Sequence, residues 1–198
     1  MNVLKVIDLL KKSYPNAKYY LNFSNPLELL VAAILSAQVR DEKVNAITPN
    51  LFKKYKTAKD YAKADLKELI NDIKGITFAE NKARNIINAC KIILEKHKGK
   101  VPDNMEKLVE LPGIGRKTAN TILINAFGKV EGIPCDTHVI RLSFRLGWTK
   151  SKKPDEIEKD LMKIVPKKKM EKNCLLIKSS RESNLQSSCS ILQQMLFE

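Results

Sequence analysis

Apolar side chains recur along this chain at the spacing of one helix face, and no stretch alternates as a half-buried strand does. Segments that begin at Val3, Val44, Leu66 and Ala83 each carry apolar residues three or four positions apart. This period is typical of amphipathic helices. The segment 27–37 is apolar nearly all round, which predicts a buried central helix. The pattern predicts an all-α protein of about nine or ten helices.

Residues that favour helix N-termini stand before several of these segments. Asn25 precedes Pro26, with Glu28 three residues after the Asn, which is typical of an N-cap followed by Pro in the first turn. Three further pairs have the spacing of a capping box: Thr57 with Asp60, Asp65 with Glu68, and Asp103 with Glu106. The local signals therefore agree with the helical period.

The net charge narrows the class of partner. Lys and Arg number 36 against 22 Asp and Glu, a formal charge of +14. Such a field favours a polyanion, and we prefer nucleic acid over a merely solvated lysine-rich surface. No apolar run approaches the roughly 20 residues that span a bilayer, and a signal-peptide layout is missing. We expect a cytoplasmic protein, at the nucleoid in a prokaryote, with cysteines outside disulfides.

A glycine hairpin is the first candidate site. It lies in the segment 111–120, which reads LPGIGRKTAN. Gly113 and Gly115 allow the backbone to approach a ligand closely, and the following helix presents its positive end there. With Arg116 and Thr118 they are predicted to bind a DNA phosphate. The alternative is a plain turn between two helices.

Two further side chains have the chemistry for work on a sugar–base bond. Lys117 begins the second helix of the hairpin and is an amine nucleophile when uncharged, a state that desolvation and a neighbouring cation favour. Asp136 follows 19 residues later and supplies a carboxylate. Each has an ordinary alternative: a surface lysine, a helix N-cap at Asp136, and a polar side chain near a helix start for His138.

Together these motifs resemble the endonuclease III family of DNA glycosylase/AP lyases, within the helix-hairpin-helix glycosylase superfamily. The resemblance runs from Leu27 to about Val165. It rests on four motifs and one arginine: LSAQ at 35–38, the segment 111–120, AFG at 126–128, DTHV at 136–139, and Arg141. It implies that Lys117 is the Schiff-base nucleophile and Asp136 the catalytic carboxylate. It also implies that Gln38 enters the space left by a flipped base, with His138 and Arg141 as DNA contacts.

The fold that the resemblance implies is two helical lobes with a DNA-binding cleft between them. Residues 21–131 are expected to form a six-helix barrel that contains the helix-hairpin-helix. Residues 1–20 and 132–198 are expected to form the second lobe. Lys117 and Asp136 are then expected to face each other across the cleft.

The implied function is base excision repair by a bifunctional enzyme. It removes oxidised pyrimidines from double-stranded DNA and cleaves abasic sites by β-elimination, acting as a monomer. Two alternatives stay open. A monofunctional mismatch glycosylase is disfavoured by Lys117, because such relatives lack a lysine there. A non-catalytic helix-hairpin-helix module explains the glycines and the charge, but not Gln38, Lys117 and Asp136 together.

The end of the chain departs from the family. Its members usually carry Cys-x6-Cys-x2-Cys-x5-Cys there, which binds a [4Fe–4S] cluster. This chain has only Cys174 and Cys189 in that region, with Cys90 and Cys135 elsewhere. We therefore predict no cluster and no metal site. Residues 166–198 are lysine- and serine-rich without a clear period, which predicts poor order. We interpret those after about Lys169 as a shifted reading frame or a degenerate cluster-binding end.

Overall fold

The computed structural model describes residues 3–13, 15 and 19–166. In these residues the only regular elements are ten α-helices, and no strand is present. In chain order they are α1 Val3–Ser13, α2 Pro26–Leu35, α3 Asp41–Lys54, α4 Ala58–Ala62, α5 Leu66–Asp72, α6 Ala79–His97, α7 Met105–Val109, α8 Arg116–Phe127, α9 Thr137–Arg145 and α10 Pro154–Ile164. The all-α prediction is confirmed. The expectation of poor order after Pro166 falls outside the described residues.

The chain divides into two compact units. We call residues 20–131 the inner unit, which holds α2 to α8. We call residues up to 19 together with those from 132 onward the terminal unit, to which α1, α9 and α10 belong. The barrel and the cleft stay predictions. None of the described helices is long and apolar enough to cross a membrane.

Helix α2 forms the centre of the inner unit. Every residue from Leu29 to Leu35 is buried, and α2 contacts α3, α6 and α8. The predicted buried central helix is therefore confirmed. Each fully buried leucine or isoleucine side chain contributes roughly 1.5–3 kcal/mol relative to exposure, so α2 anchors the elements that carry the hairpin. α6 packs against α4 and α5 as well, and α7 packs against α8.

The predicted caps fix where the helices of the inner unit begin. Asn25 Oδ1 accepts the Glu28 N–H at 3.0 Å, and Asp65 Oδ1 accepts the Glu68 N–H at 3.0 Å. Thr57 forms the reciprocal capping box with its acidic partner three residues on. Each such cap contributes about 1 kcal/mol.

The predicted cap of α7 is wrong by one residue. Asn104, rather than Asp103, accepts the Lys107 N–H, at 3.0 Å. Asp103 instead forms an ion pair with Lys129, 2.5 Å from carboxylate to ammonium. Asn and Asp are about equally good N-caps. The distant partner of Asp103 therefore decides between two neighbours that local sequence cannot separate.

Candidate nucleic-acid interface

The loop between α7 and α8 is a tight hairpin with its apolar residues inside and its glycines outside. Leu111 and Ile114 are buried, and the Ile114 N–H donates to the Leu111 carbonyl at 3.0 Å. Gly113 lies between them with φ +83°, a left-handed conformation that favours glycine. Gly113 and Gly115 are both exposed. The predicted hairpin is therefore present, and its backbone is accessible.

The N-terminus of α8 adjoins this hairpin. Gly115 is the N-cap residue, and the first turn of α8 contains no acidic side chain. The Ala119 N–H donates to the Gly115 carbonyl at 2.9 Å. The N–H groups of the three preceding residues therefore lie ahead of this helical bond, at the positive end of the helix dipole. Arg116 beside them is exposed and Thr118 is half-buried. This arrangement suits a phosphate group.

Lys117 is the second residue of α8, and its side chain is exposed. The burial that we expected to favour an uncharged amine is therefore not provided by the protein as described. This exposed position directly after the hairpin leaves the amine accessible to a ligand.

Asp136 is the N-cap of α9, which agrees with the alternative interpretation of this residue as a helix cap. Its Oδ1 accepts the backbone N–H groups of His138 at 3.0 Å and Val139 at 2.9 Å. Asp136 as a whole residue is half-buried. Both bonds end on the same oxygen, so Oδ2 takes no part in the cap. The cap fixes the orientation of the carboxylate and does not exclude a chemical role. His138 is half-buried and Arg141, one helical turn further, is exposed.

Gln38 lies in the turn that follows α2. Its side chain is exposed and its φ is +58°. This left-handed conformation is uncommon for residues with a Cβ, and Asn, Asp and His adopt it more readily than Gln. The helix ends at Leu35, so Gln38 stands beyond its C-terminus and not within the last turn.

Lys82 beneath this turn is the residue that sequence reasoning missed. It lies on α6, is 6% exposed, and donates to the carbonyls of Leu35 at 2.7 Å and Ala37 at 2.6 Å. Burial lowers the pKa of Lys82 from its ordinary value of 10.5. The signal was available: Lys82 falls four and eight positions before the buried Ile86 and Cys90, and a lysine on a buried face requires partners.

The predicted site residues belong to both units. Gln38, the hairpin residues and Lys117 lie in the inner unit, and Asp136, His138 and Arg141 lie in the terminal unit. The predicted meeting of Lys117 with Asp136 stays a prediction, as does the role of each site residue.

The described cysteines do not fit a four-thiolate cluster. Cys90 is buried on α6, and burial raises its pKa to about 12, which disfavours the thiolate that a cluster binds. Cys135 is buried in the other unit. In the described part of the chain no three His, Cys, Asp or Glu residues are grouped so that they could hold a metal ion. Cys174 and Cys189 lie outside it, so the absence of a cluster stays a prediction.

Comparison with known proteins tests the resemblance. The family described as HhH-GPD superfamily base excision DNA repair protein matches residues 31–167, which contain every predicted site residue. The chain belongs to this family. Membership of the HhH-GPD superfamily agrees with the hairpin at Gly113 and Gly115, and makes the chain a base excision repair protein.

Within the HhH-GPD superfamily, individual relatives show which type of enzyme this chain is similar to. The endonuclease III of Synechocystis sp. is 49% identical over 162 residues, which cover 82% of this chain and 74% of the relative. That of Bacillus subtilis is 48% identical over 162 residues, covering 81% and 74%. A structure of a trapped endonuclease III–DNA covalent intermediate has 43% identity and a TM-score of 0.83, covering 88% of this chain and 82% of that one. The predicted endonuclease III type of enzyme is confirmed.

More distant members share the architecture alone. A thermostable thymine-DNA glycosylase is 21% identical with a TM-score of 0.77, covering 89% of this chain and 85% of that one. At this identity the likeness supports the HhH-GPD fold and says nothing of lesion preference.

Proposed function

We propose that this chain excises oxidised pyrimidines from double-stranded DNA and then cleaves the abasic site, with Lys117 as the nucleophile. The observation that carries the proposal is the position of Lys117, exposed at the start of α8 directly after the two accessible glycines. A phosphate bound at the hairpin brings the adjoining sugar within reach of the flexible lysine stem. The likeness to an endonuclease III trapped covalently on DNA supports it.

The reaction begins when the uncharged Lys117 amine attacks C1′ of the damaged nucleotide. The bond from C1′ to the base breaks, and the base leaves with the electron pair and gains a proton. The attached amine loses one proton, and the sugar ring then opens as the C1′–O4′ bond breaks and O4′ gains a proton. This gives a protonated Schiff base between Nζ and C1′. This acidifies the C2′ proton, and its removal expels the 3′ phosphate by breaking the C3′–O bond. Water then hydrolyses the Schiff base and frees Lys117.

Asp136 is the proposed carboxylate of this reaction. It stabilises positive charge on the sugar and assists proton transfer. The two N–H bonds to Oδ1 support the role, because they hold the carboxylate in one orientation. Asp136→Asn removes the negative charge but keeps the helix cap, since Asn is an equally good N-cap. We expect unchanged stability and base excision slowed by roughly 10²-fold or more. Wild-type excision in this variant would leave Asp136 as a cap alone.

Seven other residues are proposed to hold the DNA. Gln38 enters the space vacated by the flipped base, which costs a few kcal/mol to unstack. The hairpin glycines with Arg116 and Thr118 bind a phosphate. His138 and Arg141 add contacts from the terminal unit.

Borohydride trapping tests the nucleophile. Reducing the reaction on an abasic-site duplex converts a Schiff base into a permanent protein–DNA bond. Wild-type protein and Lys107→Gln, which changes an exposed lysine of the hairpin's first helix, should both be trapped. Lys117→Gln should not be trapped, yet should keep most of its affinity for the duplex. Trapping of Lys117→Gln at the wild-type level would place the nucleophile elsewhere.

The same assays distinguish the two alternative functions. Base release without strand cleavage would identify a monofunctional glycosylase. Duplex binding without release or cleavage would identify a non-catalytic module. Strand cleavage with trapping supports the bifunctional enzyme.

We also propose that the chain acts in the cytoplasm, as a monomer and without an iron–sulfur cluster. The raised pKa of the buried Cys90 and the separation of the cysteines along the sequence support the last point. Iron analysis of the anaerobically purified full chain tests it. Stoichiometric iron with cluster absorbance would overturn it.

A further inference from the structure

Among the residues whose side chains the structure describes, Lys82 is the only buried lysine. It reaches from α6 to the C-terminal end of α2, where it donates to two carbonyls on either side of Ser36. The C-terminus of a helix is the negative end of its dipole. Bonds from an ammonium to carbonyls are also stronger than neutral ones. Lys82 is therefore well placed to fix the conformation of the backbone that leaves α2.

The bond to Ala37 acts directly on the next residue. The Ala37 carbonyl and the Gln38 N–H belong to one planar peptide group. Holding the oxygen at 2.6 Å from Nζ therefore fixes the plane that precedes Gln38. The plane that follows Gln38 is held too, because the Val39 N–H donates to the Ser36 carbonyl at 3.2 Å.

Gln38 stands between these two fixed planes at φ +58°. A residue with a Cβ does not favour this conformation, and it persists only where the surroundings impose it. Lys82 supplies one of the two constraints through a side chain that comes from another helix. The direction in which the Gln38 side chain leaves the backbone therefore depends on a residue 44 positions away in sequence.

We propose that Lys82 is a positioning residue for Gln38: its ammonium holds the Ala37–Gln38 peptide so that Gln38 is presented to DNA from a left-handed backbone. The inference rests on the role proposed above for Gln38. It adds a buried group that does not touch the DNA but determines how well the space left by the flipped base is filled.

A double-mutant cycle tests the inference on the full chain. Lys82→Met keeps an unbranched side chain, one atom shorter, and removes the ammonium that makes both hydrogen bonds. Its single-turnover rate of base excision should fall roughly 10- to 100-fold, the scale expected for misplacement of a positioning group. Fluorescence of 2-aminopurine beside the lesion should report less base flipping, while affinity for undamaged duplex should change less than threefold. In the Gln38→Ala background, the same substitution should lower the rate less than threefold.

Lys91→Met is the matched control, since it changes an exposed lysine of the same helix and should keep the wild-type rate. The inference would be overturned if the fold-loss of rate in the double variant equalled the product of the losses in Lys82→Met and Gln38→Ala. It would also be overturned if Lys91→Met lost as much rate as Lys82→Met. A wild-type rate for Gln38→Ala alone would overturn the role of Gln38 and the inference with it. Borohydride trapping on Lys117 measures the proposed nucleophile independently of this outcome.

Lys82→Arg covers the case in which Lys82→Met does not fold. It keeps the charge and the donors but carries a wider planar head group, which displaces the turn. The expected result is a partial rate loss that disappears in the Gln38→Ala background. A loss that persists in that background would contradict the inference.

Discussion

Gly113→Ala is expected to destabilise the protein by about 1–3 kcal/mol. The left-handed conformation of residue 113, at φ +83°, costs an alanine about 1–2 kcal/mol. The new Cβ would also lie 3.1 Å from Asn85 Nδ2 and 3.3 Å from Asn85 Cβ. The asparagine must move by a few tenths of an ångström. At this exposed site the movement costs about 1 kcal/mol of stability at most, the lower end of overpacking costs.

Gly115→Ala is the matched comparison two residues away. Residue 115 has φ −89°, and a Cβ built there has no atom within 4 Å. Alanine reduces the entropy of the unfolded chain by about 0.4–1 kcal/mol but is a poorer N-cap than glycine by a similar amount. The two effects offset each other, so the free energy of unfolding should change by less than about 0.5 kcal/mol.

Thermal unfolding and duplex binding separate the two glycines. The melting temperature of Gly113→Ala should fall by about 2–12 °C at this chain length, and that of Gly115→Ala should hardly change. Gly115→Ala should still bind an abasic-site duplex roughly tenfold more weakly, because its methyl group lies where a phosphate approaches the N–H groups of α8; tenfold corresponds to about 1.4 kcal/mol. Equal losses of melting temperature in the two variants would refute the conformational reasoning. Wild-type affinity in Gly115→Ala would refute the phosphate site.

Three further outcomes are expected. Tyr61→Phe should raise the free energy of unfolding in urea by about 1 kcal/mol. The reason is that the Tyr61 side chain is 1% exposed and its hydroxyl has no hydrogen-bond partner in the described residues. A free energy of unfolding below the wild-type value would show that the hydroxyl does have a partner. The Thr57 hydroxyl and N–H lower the pKa of the Asp60 carboxyl below 3.8. This capping box therefore stabilises the folded protein fully above pH 3.8, and its contribution weakens as pH falls through the folded-state pKa. In an NMR titration Thr57→Ala should raise the pKa of Asp60, and an unchanged pKa would contradict the assignment. The log–log slope of duplex affinity against salt should be roughly −4 to −5 for 4–6 phosphates; a flat response would argue against the +14 charge as the source of binding.

Sequence predicted those features whose causes lie within one helix turn. Asn25 and Pro26 start α2, and the unbroken apolar run after them leads to burial on all sides. Asp136 was assigned as a possible cap because its partners are its own neighbours, His138 and Val139. The hairpin followed from its glycine spacing for the same reason.

Features with distant causes were missed or misplaced. The choice of Asn104 over Asp103 as the cap depends on Lys129, and the left-handed φ of Gln38 depends in part on Lys82. Neither partner is specified by the periods of the segments that it stabilises. The sequence left open whether Lys117 is exposed or desolvated, because helical spacing does not say which neighbours cover a side chain at the start of a helix.

The discontinuity of the terminal unit has a consequence for synthesis. The inner unit is one uninterrupted stretch of chain, so all its contacts can form once residue 131 has left the ribosome. Helix α1 precedes the inner unit in sequence but belongs to the same unit as α9 and α10, so the terminal unit cannot be completed until those helices have been made. During translation, which proceeds from the N-terminus at about 5–20 residues per second, the inner unit with its Gly113 hairpin can therefore form before the terminal unit is complete.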